Sequence, residues 1–281
     1  MMTPNPLVAV LRLCALAAVV LSSTSCGDDD PTSPGPVEGR RMYAVDRDNQ
    51  LREIDSENPD EDRGGVSITG MAAGETAVGI DFNALNGMLY GVGSAGNLYT
   101  IDTATGAATA VAATGFGTIT GEFYGVDFNP VPDRLRIHSE TGLNLRVNQL
   151  TGALAFTDAA LAYAAGDANA GATASLVASA YTNSVSPAPA TTVLFAIDSE
   201  LDVLVNFVDP NTGQISTVGA LGVDASEAAG FDIAGDDGTA YAALTTGATG
   251  SSLYTINLAS GQATLIGSMG GEGVVGLAVA P

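Results

Sequence analysis

Three aspartates recur at one place in a repeated segment: Asp81 in Val78-Gly-Ile-Asp-Phe82, Asp127 in Tyr124-Gly-Val-Asp-Phe128 and Asp232 in Ala229-Gly-Phe-Asp-Ile233. Carboxylates brought together can supply an acid, a base and an orienting group, the set a glycoside hydrolase uses. The recurrence also fits a structural task, with each carboxylate bonding the backbone of the neighbouring repeat. The chain has no Trp, the residue sugars usually stack on, so the structural reading leads and a carboxylate-based hydrolase is the alternative.

Four glutamates, Glu75, Glu122, Glu227 and Glu272, stand just ahead of the same kind of segment. A ring of carboxylates there would draw in a cation, but the leading reading is that each caps local backbone amides or stays solvated. Asp167 and Asn169 in Gly166-Asp-Ala-Asn-Ala-Gly171 repeat the opening of a calcium loop, whose oxygen ligands alternate along the chain, but Ala178 stands where the closing acid belongs. A loop capped by its own side chains competes with that reading. No cofactor is expected, with calcium the alternative these residues suggest. His138, the single histidine, has no second His and no Gly-x-Ser-x-Gly elbow beside it and reads as a strand-end residue. Arg134, Arg136 and Arg146 gather in one repeat and read as partners in exposed ion pairs, which stabilise little.

The elements that must hold these residues announce themselves by a turn. Asp102-Thr-Ala-Thr-Gly106, Asn148-Gln-Leu-Thr-Gly152, Asp209-Pro-Asn-Thr-Gly213 and Asn257-Leu-Ala-Ser-Gly261 share one pattern. The Asx side chain can bond its own backbone two residues on, and Gly supplies a positive φ. Alternating runs flank each turn, such as Asn97-Leu-Tyr-Thr-Ile-Asp102 before the first and Gln214-Ile-Ser-Thr-Val218 after the third; these are period-2 strands. With the aspartate segments and a further strand after each, every repeat carries four strands over roughly 40–50 residues, the pattern of a propeller blade.

The two ends complete the count. Met42-Tyr-Ala-Val45, Leu51-Arg-Glu-Ile-Asp55 and Gly65-Val-Ser-Ile-Thr69 are strands two to four of a blade, and Val274-Val-Gly-Leu-Ala-Val279 is a first strand with almost nothing after it. Joined, they make blade one, and a closed ring leaves no open edge to aggregate. Blades two to five then begin near Val78, Tyr124, Leu176 and Ala229. The expectation is an all-β, five-bladed propeller of four-stranded antiparallel blades over residues 40–281, closed by the C-terminal strand. Blade one is split in its first turn, so Arg41 is expected on the face opposite the four glutamates.

Residues 1–25 read as a targeting segment: the apolar run from Leu13 to Leu21 follows Arg12 and is too short to span a bilayer. Ser22-Ser-Thr-Ser-Cys26 then resembles a lipoprotein signal, in which Cys26 becomes the lipidated first residue. Residues 26–39, rich in Asp, Pro and Gly, read as a flexible tether. The mature domain would hold no disulfide and no cysteine metal site. The formal net charge is −22, and removing Arg12 makes it one unit more negative. All nine cationic residues are Arg. Such a surface repels nucleic acid and anionic lipid. Expected partners are basic proteins or cationic ligands, with membrane contact only through the lipid, and the chain is expected to be a monomer. Export to the cell envelope, anchored or secreted, is the expected location.

The aspartate segments, together with Tyr124-Gly-Val-Asp-Phe-Asn-Pro130, Ala164-Ala-Gly-Asp-Ala-Asn-Ala-Gly171 and Ala180-Tyr-Thr-Asn183, resemble the bacterial family catalogued as domain of unknown function 4394. The resemblance covers residues 41–279. It implies an extracytoplasmic propeller-like domain and assigns no catalytic residues. The resulting functional expectation is a cell-envelope binding or scaffold module without catalysis.

Overall fold

The Asx-x-x-Thr/Ser-Gly segments fold as the turns their chemistry dictates. The Asp102 carboxylate accepts from the backbone N–H of Ala104 at 3.1 Å and of Thr105 at 2.9 Å. Asn148 does the same for Leu150 and Thr151, and Asn257 for Ala259 and Ser260. Gly106, Gly152, Gly213 and Gly261 close these turns with φ between +64° and +80°. Each turn joins the third and fourth strands of a blade.

In this computed structural model residues 34–247 and 250–281 are described, along with Met1. Cys26 and the rest of the targeting segment lie outside them. Five sheets form, each antiparallel through its first four strands. Blade one orders Val274–Val279, Arg41–Asp46, Gln50–Asp55 and Gly65–Ser67, so the C-terminal strand pairs with the first strand of the repeat region, Met42 opposite Val279. The inner strands of the other blades are Ala77–Asn83, Tyr124–Asn129, Leu176–Tyr181 and Ala229–Ile233, beginning where the repeat places them. Each packs on its neighbours, and Val274–Val279 closes the circle between blades five and two.

The glycine that four of the five inner segments share explains how tightly the circle closes; blade four has Ala178 in its place. A Cβ on Gly230 would sit 2.6 Å from the Leu277 amide nitrogen, and one on Gly79 would sit 2.5 Å from Val126 Cγ2. Glycine therefore lets adjacent inner strands touch. Between blades lie the apolar layers, such as Ile80, Phe82, Leu89 and Tyr43 between blades one and two.

Two features differ from expectation. Four strands are expected in each blade, yet Ala162–Tyr163, just ahead of the Gly166–Gly171 loop, pairs in parallel with Gln214–Ile215 as a fifth, outermost strand of blade four. Buried Tyr163 anchors it, donating to the Asp198 carboxylate at 2.7 Å. A two-residue strand is too short for any alternation to mark it. Residues 34–39 are expected within a free tether, yet they lie along the outer part of blade one. The Glu38 and Gly39 amides donate to Asp55 at 2.8 and 3.0 Å, and Arg63 donates to the carbonyls of Gly35 and Pro36. Burial pushes the Asp55 carboxyl up, but the amides of Glu57, Glu38 and Gly39 and the Arg63 charge outweigh it and hold the group below its ordinary value.

Candidate functional site

Asp81, Asp127 and Asp232 project from the inner strands of blades two, three and five toward the axis. The geometry brings all three together: one carboxylate oxygen from each lies within 4.8 Å of the others, and all are buried. Asp81 Oδ2 accepts from the Phe128 amide at 2.7 Å, Asp127 Oδ1 from the Tyr181 amide at 3.1 Å, and Asp232 Oδ2 from the Val279 amide at 2.6 Å. Each bond reaches the inner strand of the next blade, one residue beyond the position matching the aspartate. Asp232 Oδ1 also accepts from its own neighbour, Ile233, at 2.6 Å. These are the backbone donors that an inner strand leaves unpaired on its axial edge, and a buried donor left alone costs about 1–3 kcal/mol.

Burial raises all three carboxyls, Asp232 to about 7 and the other two well above the usual carboxylate range. Repulsion adds to this for Asp81, from Asp232, and for Asp127, from both others. Toward the centre of the channel, Gly79, Gly230 and Gly276 pack with Ile80, Val126 and Leu277, leaving about 10 Å³ of space. On the other side the cluster meets a cavity of about 330 Å³, lined among others by Asp81, Asp232, Arg40, Asp236, Ser184 and Ser186. That cavity opens among the turns joining first and second strands. The sequence reading placed function on the opposite face and missed this pocket. Arg40, which donates to Asp236 and Asp237 at 3.2 and 2.9 Å, carries no repeat signature that would mark it.

The four glutamates do not form an equivalent ring. Glu75 is buried, its Oε2 accepting from Tyr99 Oη at 2.6 Å and Asn97 Nδ2 at 3.0 Å, its Oε1 from the Ala95 amide at 3.0 Å. Glu122, Glu227 and Glu272 are exposed. Glu122 borders a cleft of about 210 Å³ with Asp46, Arg47 and Phe123, at the end of the inner strands away from the aspartate cavity. Asp46 pairs with Val274 and Arg41 with Asp55, at opposite ends of the blade, so Arg41 and the exposed glutamates occupy opposite faces.

Asp167 caps its loop. Its oxygens accept from the Asn169 amide, the Thr217 amide and hydroxyl and the Ser216 hydroxyl, all between 2.8 and 2.9 Å. Burial pushes the carboxyl up, and these bonds overcome it and bring the group down to about 2. Asn169 donates to Thr217 Oγ1 at 2.9 Å. Both side chains are thus turned to the outer strand of blade four.

His138 and the arginines correct the sequence reading. His138 is fully buried, stacked on Phe207 with ring centroids 4.7 Å apart, and burial, then the Arg136 charge, hold it well below its ordinary pKa. Arg136 is buried too, and pairs with Asp158 at 3.0 Å with only 3% and 7% of the two side chains exposed. Arg146 grips the same carboxylate through two bonds of 2.8 Å. The cluster lies in the seam between blades three and four because Tyr181, Pro210 and Asn211 of blade four all accept from Arg136. Repeat position alone could not show that partner set, since it comes from the neighbouring blade.

Among solved structures, a protein of unknown function from Bacteroides thetaiotaomicron VPI-5482 matches with a TM-score of 0.52 and 16% identity, over 82% of this chain and 56% of that one. This chain thus spans little more than half of that protein's length. A chain of the nidogen/laminin complex matches at 0.48 and 11%, over 86% and 99%, and the glutaminyl cyclase of Myxococcus xanthus at 0.44 and 14%, over 72% and 88%. At 16% identity the first of these likenesses is one of fold alone. No curated protein matches the chain. The family model described as "Domain of unknown function (DUF4394)" matches residues 50–278. A five-bladed ring built on these repeated inner segments, matched over most of its length, belongs to the DUF4394 family.

Proposed function

We propose that this chain is a non-catalytic binding or scaffold module of the bacterial cell envelope, anchored through lipid on Cys26 and selective for cationic or basic groups. The observation carrying the reading is the use of the axial carboxylates. Asp81, Asp127 and Asp232 each spend oxygens on the amides of the next blade, so this carboxylate cluster serves to join blades. A hydrolase needs an ionised carboxylate open to substrate as nucleophile or base, whereas burial raises all three here.

Given lipid on Cys26, the docked segment supports one orientation. Residues 34–39 lie on the turn side of blade one, and the chain from Cys26 to Pro34 reaches at most about 29 Å. Lipid at Cys26 would hold the turn face near the bilayer and present Glu122, Glu227 and Glu272 outward. The expected result is that the expressed protein fractionates with membranes and the Cys26→Ser variant does not. Wild type found wholly soluble would remove the anchor.

The partner class is tested separately, with a deca-arginine peptide. Binding should weaken steeply with salt, as exposed charge interactions do. It should also drop several-fold in the Glu122→Gln/Glu227→Gln/Glu272→Gln variant, which leaves buried Glu75 untouched. Equal binding by wild type and variant would sink the assignment of the outward face.

A further inference from the structure

We propose that Asp81, Asp127 and Asp232 act as a proton-holding clamp, joining the inner strands while they share protons and loosening the ring as the last protons leave. The geometry sets this up. Three carboxylates from three blades lie within 4.8 Å of one another, each holding the inner strand of the next blade. Once all are ionised, the groups that fasten neighbouring blades also repel one another across the axis. At an effective dielectric near 20 that repulsion is large at such distances.

Compensating charge on the elements packed around the cluster is scarce. The inner strands of blades two, three and five offer the three aspartates themselves and Tyr124, whose hydroxyl donates to the Gly121 carbonyl at 2.6 Å. Arg136, opposite Asp127 on the next strand, is paired with Asp158. That of blade four offers Tyr181, whose hydroxyl is taken by Arg136 at 2.7 Å. Val274–Val279 of blade one carries no titratable side chain. The cavity beside the cluster adds Arg40 and Asp236, which are paired with each other at 2.9 Å.

The direction of the pH effect follows from proton uptake. Unfolded, these aspartates ionise near pH 4, and in the folded ring burial and mutual repulsion raise them, Asp232 to about 7. Folding therefore takes up protons above pH 4. The stability they confer is complete below that pH and drains away as pH rises through the folded values. His138, held low in the seam between blades three and four, works the other way. Its contribution is present above about pH 6.5 and is lost on acidification. The clamp is thus read most clearly as a difference between proteins across pH 5 to 9.

The experiment is the melting temperature of the full-length chain across that range, for wild type and Asp127→Asn. The variant keeps an oxygen for the Tyr181 amide and removes one charge. Wild type is expected to lose roughly 5–10 °C between its maximum and pH 9, and the variant at least half less. Identical pH dependence in the two proteins would overturn the clamp, as would a wild-type profile flat above pH 6. If the variant fails to fold, carboxyl ¹³C NMR of wild type decides. Three aspartate signals titrating above pH 6 support the proposal, and all aspartates titrating below pH 5 refute it.

Discussion

Deleting residues 274–281 is expected to abolish cooperative unfolding and to drive the chain into aggregates. The segment supplies the inner strand of blade one, five of whose residues pair with Arg41–Asp46. Val274, Leu277, Ala278 and Val279 are all buried. Each Val or Leu fully buried contributes about 1.5–3 kcal/mol, and the whole stability of a domain is only about 5–15 kcal/mol. Losing three of them consumes much of that total. Asp232 also loses the Val279 amide, and the second strand of blade one loses its partner, leaving an apolar edge that templates association. Circular dichroism melting with light scattering measures both effects. A truncated chain that melts as sharply as the full one, without scattering, would show that the ring does not depend on its closing strand.

Arg136→Met is expected to cost about 3–5 kcal/mol, the usual penalty for breaking a buried ion pair from one side. The guanidinium donates to Tyr181 Oη, Asn144 Oδ1, Asp158 Oδ2, the Pro210 carbonyl and Asn211 Oδ1, at 2.7 to 3.2 Å. Methionine fills similar volume and satisfies none of them. Asp158 keeps Arg146, so the carboxylate is not left alone, while the blade-four acceptors Tyr181, Pro210 and Asn211 lose their partner. Urea unfolding at neutral pH gives the number. A loss below about 1 kcal/mol would mean that the seam between blades three and four is held by its apolar layer and not by this hub.

The parts of this fold that could be read in the sequence are those whose cause is local. An Asx oxygen reaching its own backbone and a glycine at positive φ act within five residues, so Asp102–Gly106 and its three counterparts mark their turns directly. The inner segments were equally readable, because the glycine answers a requirement met at four of the five blade junctions and the aspartate one met at three. What escaped depends on the neighbouring blade. Glu75 shares a repeat position with Glu122, Glu227 and Glu272, yet only Glu75 has Tyr99 and Asn97 closing over it. Arg40 becomes part of the cavity through Asp236 and Asp237, nearly two hundred positions away. Arg136, read as half of an exposed ion pair, and His138, read as a plain strand-end residue, are both buried against blade four.

The axial carboxylates also limit how alike the blades can be. Blades one and four carry Ala278 and Ala180 where the others carry aspartate, and three acids serve a ring of five strands. Perfect fivefold symmetry would set five carboxylates around one narrow axis and more than triple the number of repulsive pairs, each worth about 3 kcal/mol at such separations with an effective dielectric near 20. An array of identical duplicated units could therefore close this ring only by keeping its carboxyls protonated or by losing acids from some copies. Divergence at that single column lowers the number of protons the ring must carry to stay closed.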